Sequence, residues 1–445
     1  MLNRVLGKWL LMFTGYATVV ASGFMIGVGG AAFEAGPLAL VSYWVFGGLA
    51  TFATAFVFSE LATMFPKCGG VWEYTKQAFG NDHPVSFMVG WIYWFALLFG
   101  LNVELVSVGI YVHELVPSVP QWAGALATAL IFVALNFIGV KLSTIIEAGF
   151  GVILILSSAT FILLGLGHLD FGLYSDFAPN GTVMPLLKTL PFVVIAFCGF
   201  EVIATLAEES KNPKKDIPKA LIGAATFLTV LFGGFATVLF GLVPASELAT
   251  EAPLLKAGAM IFGGIGLAWL ALQSLSGSMS TVNGGVMGQT RVMFAMAREG
   301  WFNKRFAKID KKSNIPKGAL YFTAVSMVLV SLLPLITERA WVWAGFLGVF
   351  GYALSYIMAC FLVIYFRTKL PDHERPFKVP FYPITPIVGI ILYILAIVYS
   401  GIDIIIVGVT WCLVGVGYFY VFGRKSRNKF LSDLISKDGN LNNVK

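Results

Sequence analysis

Residues 197–220 read FCGFEVIATLAEESKNPKKDIPKA. The stretch opens as membrane-grade apolar sequence, carries an acid, Glu201, beside Cys198, Gly199 and Phe200, and then turns into a knot of acids and lysines. A carboxylate inside hydrocarbon costs about 3 kcal/mol or more unless it is paired or wet, so an intramembrane acid marks a site before it marks anything else.

The surrounding chain settles the solvent. It is 58% hydrophobic, 15% aromatic and 12% charged, with a mean hydropathy of +0.83. Soluble domains carry about 25% charged residues. Runs such as PLALVSYWVFGGLATFATAFVF (37–58) and LIFVALNFIGV (130–140) recur throughout. Runs of about 18 apolar residues read as spanning helices. The short-segment alternation of a membrane β-barrel is missing from the sequence. The fold class is an all-α polytopic membrane protein. Twelve spans fit, at 9–33, 38–65, 84–115, 121–141, 145–167, 186–207, 220–243, 257–297, 318–336, 341–366, 380–401 and 403–423, the eighth long enough to include an extra-membrane turn.

The net charge is +7, and its placement carries the topology. With twelve spans, all of the 30 Lys and Arg except Lys188, Lys256 and Arg339 fall on one side. That asymmetry puts both termini in the cytoplasm of a cell (plasma or inner) membrane. The basic character then serves topology and anionic lipid, not nucleic acid. The N-terminal MLNRVLGKWLLMFTGYATVV resembles a signal peptide but lacks a cleavage site, and reads as a retained first helix. Cys68, Cys198, Cys360 and Cys412 are scattered, and His83, His113, His168 and His373 lie far apart, so no disulfide framework or metal set is indicated. Asn180-Gly181-Thr182 is a glycosylation triplet only in a eukaryotic setting. The chain reads as one membrane domain over about 1–430, with a polar, poorly ordered cytoplasmic tail over 424–445.

Two spans have interrupted centres. Span 1 contains VVASGFMIGVGG (19–30) and span 6 contains AFCGFEV (196–202). Glycine at mid-membrane depth can serve helix packing alone. Here the interruptions sit five spans apart, at matching places in two five-helix halves, the sequence pattern that points to a transporter site. A broken helix frees backbone N–H and C=O groups, tolerable at that depth only beside protein or a watery cavity. Freed N–H groups suit an anion and freed carbonyls suit a cation. A zwitterionic amino acid offers both.

With those motifs in view, the chain resembles the amino acid–polyamine–organocation (APC) permeases over residues 9–423. The resemblance rests on ASGFMIG (21–27), FSELATMFPKCGGVWEYTKQAFG (58–80), GFEVIATLAEESKNPKKDIPKA (199–220), RVMFAMAREGWFNKRFAKIDKKSNIPKGAL (291–320) and RPFKVPFYPITPIVGI (375–390), in that order. It implies two inverted five-helix repeats, about 9–167 and 186–366, followed by helices 11 and 12 over about 380–423. It implies secondary transport of amino acids or related amines by alternating access. Ala21, where relatives carry glycine, departs from the motif.

The resemblance also implies site residues. The Ala21 amide, Ser22 and Gly23 receive a substrate carboxylate, and Val19, Phe197 and Cys198 lend carbonyls to the ammonium. Glu201 falls where a gating or substrate-linked carboxylate lies. Ile195 stands where some relatives carry a gating aromatic, which shifts closure to Phe197 or Phe200. Asn283, in STVNGGVMGQT (280–290), faces either the substrate or a packing partner. Glu104, in LLFGLNVELVSVGIYV (97–112), has three open roles: counter-charge for a cationic solute, proton carrier, or structural pairing. The first gives a lean to cationic solutes, with a neutral amino acid permease as the alternative. Coupling is open among protons at Glu104 or Glu201, sodium at Ser280 and Thr281, and exchange with no ion. The span-5 lysine of some relatives is matched by Leu154, which removes that route. Glu60, Arg298 and Glu299 lie at inner helix ends, as anchors or as an inner gate. A homodimer or an accessory subunit is compatible with the sequence.

Other classes fit less well. A channel needs a continuous polar path or a repeated filter. A transporter-fold sensor usually adds a long soluble region. The sequence has no phosphate-binding GxxxxGK[ST] loop and no nucleophile–base pair, so an enzyme is not indicated and no cofactor is called for.

Overall fold

Helices occupy the long apolar stretches and stop at proline, glycine or charge. The computed structural model describes residues 4, 6–20, 22–67, 69–138, 140–248, 253–310 and 315–438. The first half contains α1 (Lys8–Ala17), α2 (Ser22–Ala35), α3 (Gly48–Met64), α4 (Val71–Phe79), α5 (Pro84–Leu115), α6 (Gln121–Ile138) and α7 (Val140–Gly165). Next come α8 (Leu190–Phe197), α9 (Val202–Thr205), α10 (Pro213–Leu242), α11 (Pro253–Phe262), α12 (Gly266–Arg298) and α13 (Lys317–Ser331). The chain continues through α14 (Ala340–Lys369), α15 (Ile384–Tyr399), α16 (Ile402–Tyr418) and α17 (Arg424–Asp438). Proline opens α5 and α10 where its missing N–H costs nothing, and α3 ends just before Pro66. Gly70 and Gly80, both at positive φ, bracket α4.

Among the described residues, seven helical segments are long and apolar enough to cross a membrane, and four shorter helices are apolar. Among the described residues no strand forms. A lone parallel bridge joins Leu6 to Ser210, so the N-terminal arm is tied to the charged turn after α9. Helices satisfy their backbone polar groups internally, which is what hydrocarbon demands. The edge helices α15 and α16 expose Ile391, Ile394, Val398, Ile406 and Leu413, a surface suited to lipid.

α5 forms the axis of the bundle, packed against α14, α12 and α6. Every residue from Leu101 to Tyr111 is buried, Glu104 included. At 1.5 Å per residue its 32 residues run about 48 Å, longer than the hydrocarbon core.

The turn expected within the eighth run is present, and the C-terminal tail departs from the sequence expectation. The long eighth run is two helices: α11 ends in a turn at Gly263 (φ +59) and folds back on α12, where Gly266 lies against the Gly258 carbonyl. The tail expected to be poorly ordered begins as α17. Its Arg427 is buried, with Nε 2.7 Å from Asp82 Oδ1 and Nη1 2.5 Å from the Glu299 carbonyl. Phe430 packs over Gly300, and Asp433 pairs with Lys304. A polar composition does not preclude docking here, because the partners are themselves polar groups at helix ends.

Candidate functional site

Both interrupted helices are broken. Between α1 and α2 the chain turns at Thr18 and Val19. Between α8 and α9, Cys198 is extended (φ −77, ψ 151) and Gly199 adopts φ +115, a conformation that requires glycine. The breaks face one another: Thr18 Oγ1 donates to the Gly15 carbonyl at 2.9 Å and lies 3.4 Å from the Gly199 carbonyl.

Each break carries its own buried acid. Glu104 Oε2, from α5, accepts the Gly23 N–H (3.1 Å) and the Ser278 hydroxyl (2.7 Å). A Cβ on Gly23 would stand 2.2 Å from Glu104 Oε1, so a larger residue there would push the carboxylate aside. The Gly23 N–H in the first turn of α2 therefore meets a carboxylate built into the protein, the anion preferred at a helix start. Leaving such an amide unpaired costs about 1–3 kcal/mol.

Glu201 does the same at the second break. Oε2 accepts the Gly199 N–H (2.9 Å) and the Tyr356 hydroxyl (2.5 Å), and Oε1 accepts the Tyr93 hydroxyl at 3.2 Å. Tyr356 also receives the Gly199 N–H at 3.2 Å. Tyr93 stands on α5 and Tyr356 on α14, so this carboxylate binds the break to both axial helices.

A cavity of about 60 Å³ lies between the breaks, lined by Thr18, Val19, Glu104, Ile195, Cys198, Gly199 and Tyr352. It extends past Glu104 toward the α4 end of the bundle, along Leu97 and Leu101 of α5, Val202 of α9, and Gly284, Gly285 and Gly288 of α12. On the opposite side stands an apolar cluster. Trp341 Nε1 donates to Ser107 Oγ (3.1 Å), one turn beyond Glu104, and the Trp341 ring lies parallel to Phe192 at 6.2 Å. Ile26, Val103, Val106, Ile110 and Ala344 complete that cluster.

The remaining sequence candidates are placed as follows. Phe197 and Phe200 line a separate void of about 10 Å³, with Phe197 edge-on to Phe232. Thr281 lines the larger cavity and Ser280 is fully buried. Asn283 is buried and accepts from the Asn136 amide of α6 at 3.1 Å. Leu154 is fully buried in the main core. Ala21 and the Ser22 side chain lie outside the described residues; the Ser22 backbone opens α2. Glu60 is fully buried, held by Arg367 at 2.8 and 2.6 Å and by the Val379 N–H at 2.7 Å, and joins α3 to α14 and the segment before α15. Glu299 accepts from Asn81 (2.7 Å) and lies 3.5 Å from Lys76. Arg298 lies over the Phe294 ring.

Sequence reasoning missed Tyr93, Tyr356, Tyr352, Ser278 and Trp341. A tyrosine or tryptophan in an apolar span needs a hydrogen-bond partner, and that was the available signal.

Sequence comparisons identify the family. The family model described as "Amino acid permease" matches residues 11–423. The chain is 27% identical to the branched-chain amino acid permease BcaP of Bacillus subtilis, over 95% of this chain and 94% of that protein. It is 28% identical to the amino-acid permease RocE of the same organism, over 90% of each. It is also 27% identical to the methylthioribose transporter of that organism, over 95% of this chain and 94% of that one. The chain belongs to the amino acid permease family of the APC superfamily.

Proposed function

We propose that this permease moves amino acids or related amines across a cell membrane by alternating access, as a secondary transporter with twelve spans, two inverted five-helix repeats and cytoplasmic termini. The observation that carries the reading is the cavity between two facing helix breaks, flanked on one side by the Trp341–Phe192 stack and extending on the other. With the basic loops inside, the extended side is cytoplasmic and this arrangement is the inward one. The solute ammonium sits on carbonyls near Val19 and Cys198. Glu201, strapped by Tyr93 and Tyr356, couples solute at the break to movement of α5 and α14.

A cationic solute is favoured if Glu104 serves as counter-charge. The neutral alternative is favoured by a specific observation: Glu104 is already engaged by Gly23 and Ser278. The relatives include a branched-chain amino acid permease and a methylthioribose transporter, so kinship alone does not choose.

The test is uptake into proteoliposomes of labelled amino acids and amines, with and without sodium and pH gradients. Saturable uptake accelerated by solute on the opposite side is expected. Flux that never saturates would point to a channel, and binding without flux to a sensor. Acceleration by sodium would assign coupling to the Ser280–Thr281 region, and acceleration by a pH gradient to Glu104 or Glu201.

A further inference from the structure

Resting on the transport reading above, we infer that the arm ahead of the first helix yokes α1 to α9, so that these two pieces move as a single wall of the cytoplasmic exit. α9 is one helical turn, four residues or about 6 Å long, too short to hold itself. Its neighbours must hold it, and the chain around α1 meets it at three levels. At the breaks, Thr18 Oγ1 lies 3.4 Å from the Gly199 carbonyl. Along the seam, a Cβ on Gly15 would stand 2.4 Å from Ile203 Cδ1 and 3.2 Å from the Phe200 carbonyl oxygen, so glycine at 15 lets the two pieces draw close. At the end remote from the breaks, the Leu6 N–H donates to the Glu209 carbonyl (3.0 Å), and the Leu6 carbonyl accepts the Lys211 N–H (2.9 Å).

That last tie belongs to no helix. Two bonds of sheet type are marginal alone and persist only where packing holds both strands. Here Leu6 packs against the main core, and Ser210, its bridge partner, is fully buried. α1 is also seated on α10: a Cβ on Gly223 would stand 2.7 Å from Met12 Sδ, and Tyr16 meets Phe227 edge-on at 4.7 Å. α10 opens at Pro213, directly after the tied turn. The arm, α1, α10 and that turn thus close a ring of contacts around α9. Thr18, Val19 and Val202 of this yoked wall line the cavity, as do Gly284, Gly285 and Gly288 of α12. The solute therefore leaves between the wall and α12, and α1 does not part from α9 to release it.

The experiment locks the yoke and then cuts it, in the full chain. Paired strands lie about 4.8 Å apart, within the Cα spacing of about 4.4–6.8 Å that a disulfide spans, so the double variant Leu6→Cys, Ser210→Cys can be oxidised with copper phenanthroline and oxygen. Uptake of a labelled mixture of the twenty protein amino acids is then measured in proteoliposomes. The oxidised form is expected to match its reduced form. Uptake that stops on oxidation and returns with reductant means that α1 and α9 must part, which overturns the inference and leaves the transport reading intact. The cut is Leu6→Pro, which deletes the donor to Glu209, with Leu6→Ala as the control that keeps both backbone bonds. Hydrogen exchange at the Lys211 amide and across α1 is expected to rise about 5-fold or more in the proline variant beyond its level in the alanine variant. Equal exchange in the two variants overturns the yoke. If the proline variant is not monodisperse, the disulfide decides alone. If the unmodified protein takes up none of the amino acids, the transport reading fails, and the exchange comparison still decides whether the arm holds α1 to the turn after α9.

Discussion

Glu104 can be tested by comparing two neutral substitutions. Glu104→Gln and Glu104→Ala both remove the buried charge, so the cost of holding a carboxylate in this site cancels between them. Gln keeps an acceptor for the Gly23 N–H and a partner for Ser278. Ala leaves the Gly23 amide orphaned at the start of α2, at about 2 kcal/mol. Ser278 recovers by bonding back to its own helix. Ala also removes two methylene-sized increments of packing, about 0.8 kcal/mol each. The expected gap between the variants is therefore about 3.6 kcal/mol. Gln itself should fall within about 1 kcal/mol of the unmodified protein, because stronger charged hydrogen bonds and the helix dipole are offset by desolvation. The assay is equilibrium unfolding in mixed micelles, read by tryptophan fluorescence, with monodispersity checked at each point. If Gln and Ala unfold together, both well below the parent, the charge and not the acceptor holds the break, and the argument from the orphaned amide is refuted.

Tyr356→Phe should cost about 2 kcal/mol, since the lost hydroxyl donates to a buried acid at 2.5 Å; in a double-mutant cycle with Glu201→Gln the two effects should couple by about 1 kcal/mol or more, and strict additivity would show that they do not act as a pair. Arg427→Ala should speed hydrogen exchange across 424–433 by about 5-fold or more, corresponding to about 1 kcal/mol of lost docking; the Asp82 arm is half-exposed and contributes little, so the Glu299 carbonyl contact dominates, and unchanged exchange would mean that α17 is held by Phe430 and Asp433 instead.

The helices were legible because long apolar runs have one stable form in lipid, and the breaks because glycine and a carboxylate at mid-depth are both out of place in an unbroken span. Gly199 is the clearest case: the residue seen in the sequence is the residue whose φ demands it. The partners were not legible. Glu104 is visibly costly in the sequence, yet three roles stay open there, since nothing local shows that it meets Gly23 and Ser278. Tyr93 and Tyr356 look like ordinary span aromatics until the fold brings them to Glu201. Asn283 offers two faces, and only the position of α6 determines which one Asn136 meets. The α17 segment looks unstructured because its binding surface is assembled from distant helix ends.

The acid that satisfies the first break is 81 residues downstream of the amide it binds, and the serine that helps hold that acid follows 174 residues later. At roughly 5–20 residues per second, a ribosome completes the first pair some seconds after the opening helix has left the exit tunnel, and the second later still. During that interval the nascent segment has no local anion to stabilise a gap. Its least costly state in lipid is one uninterrupted cylinder, which satisfies its own amides. The carboxylate and the serine that complete the first break are thus supplied by chain made well after the opening helix itself.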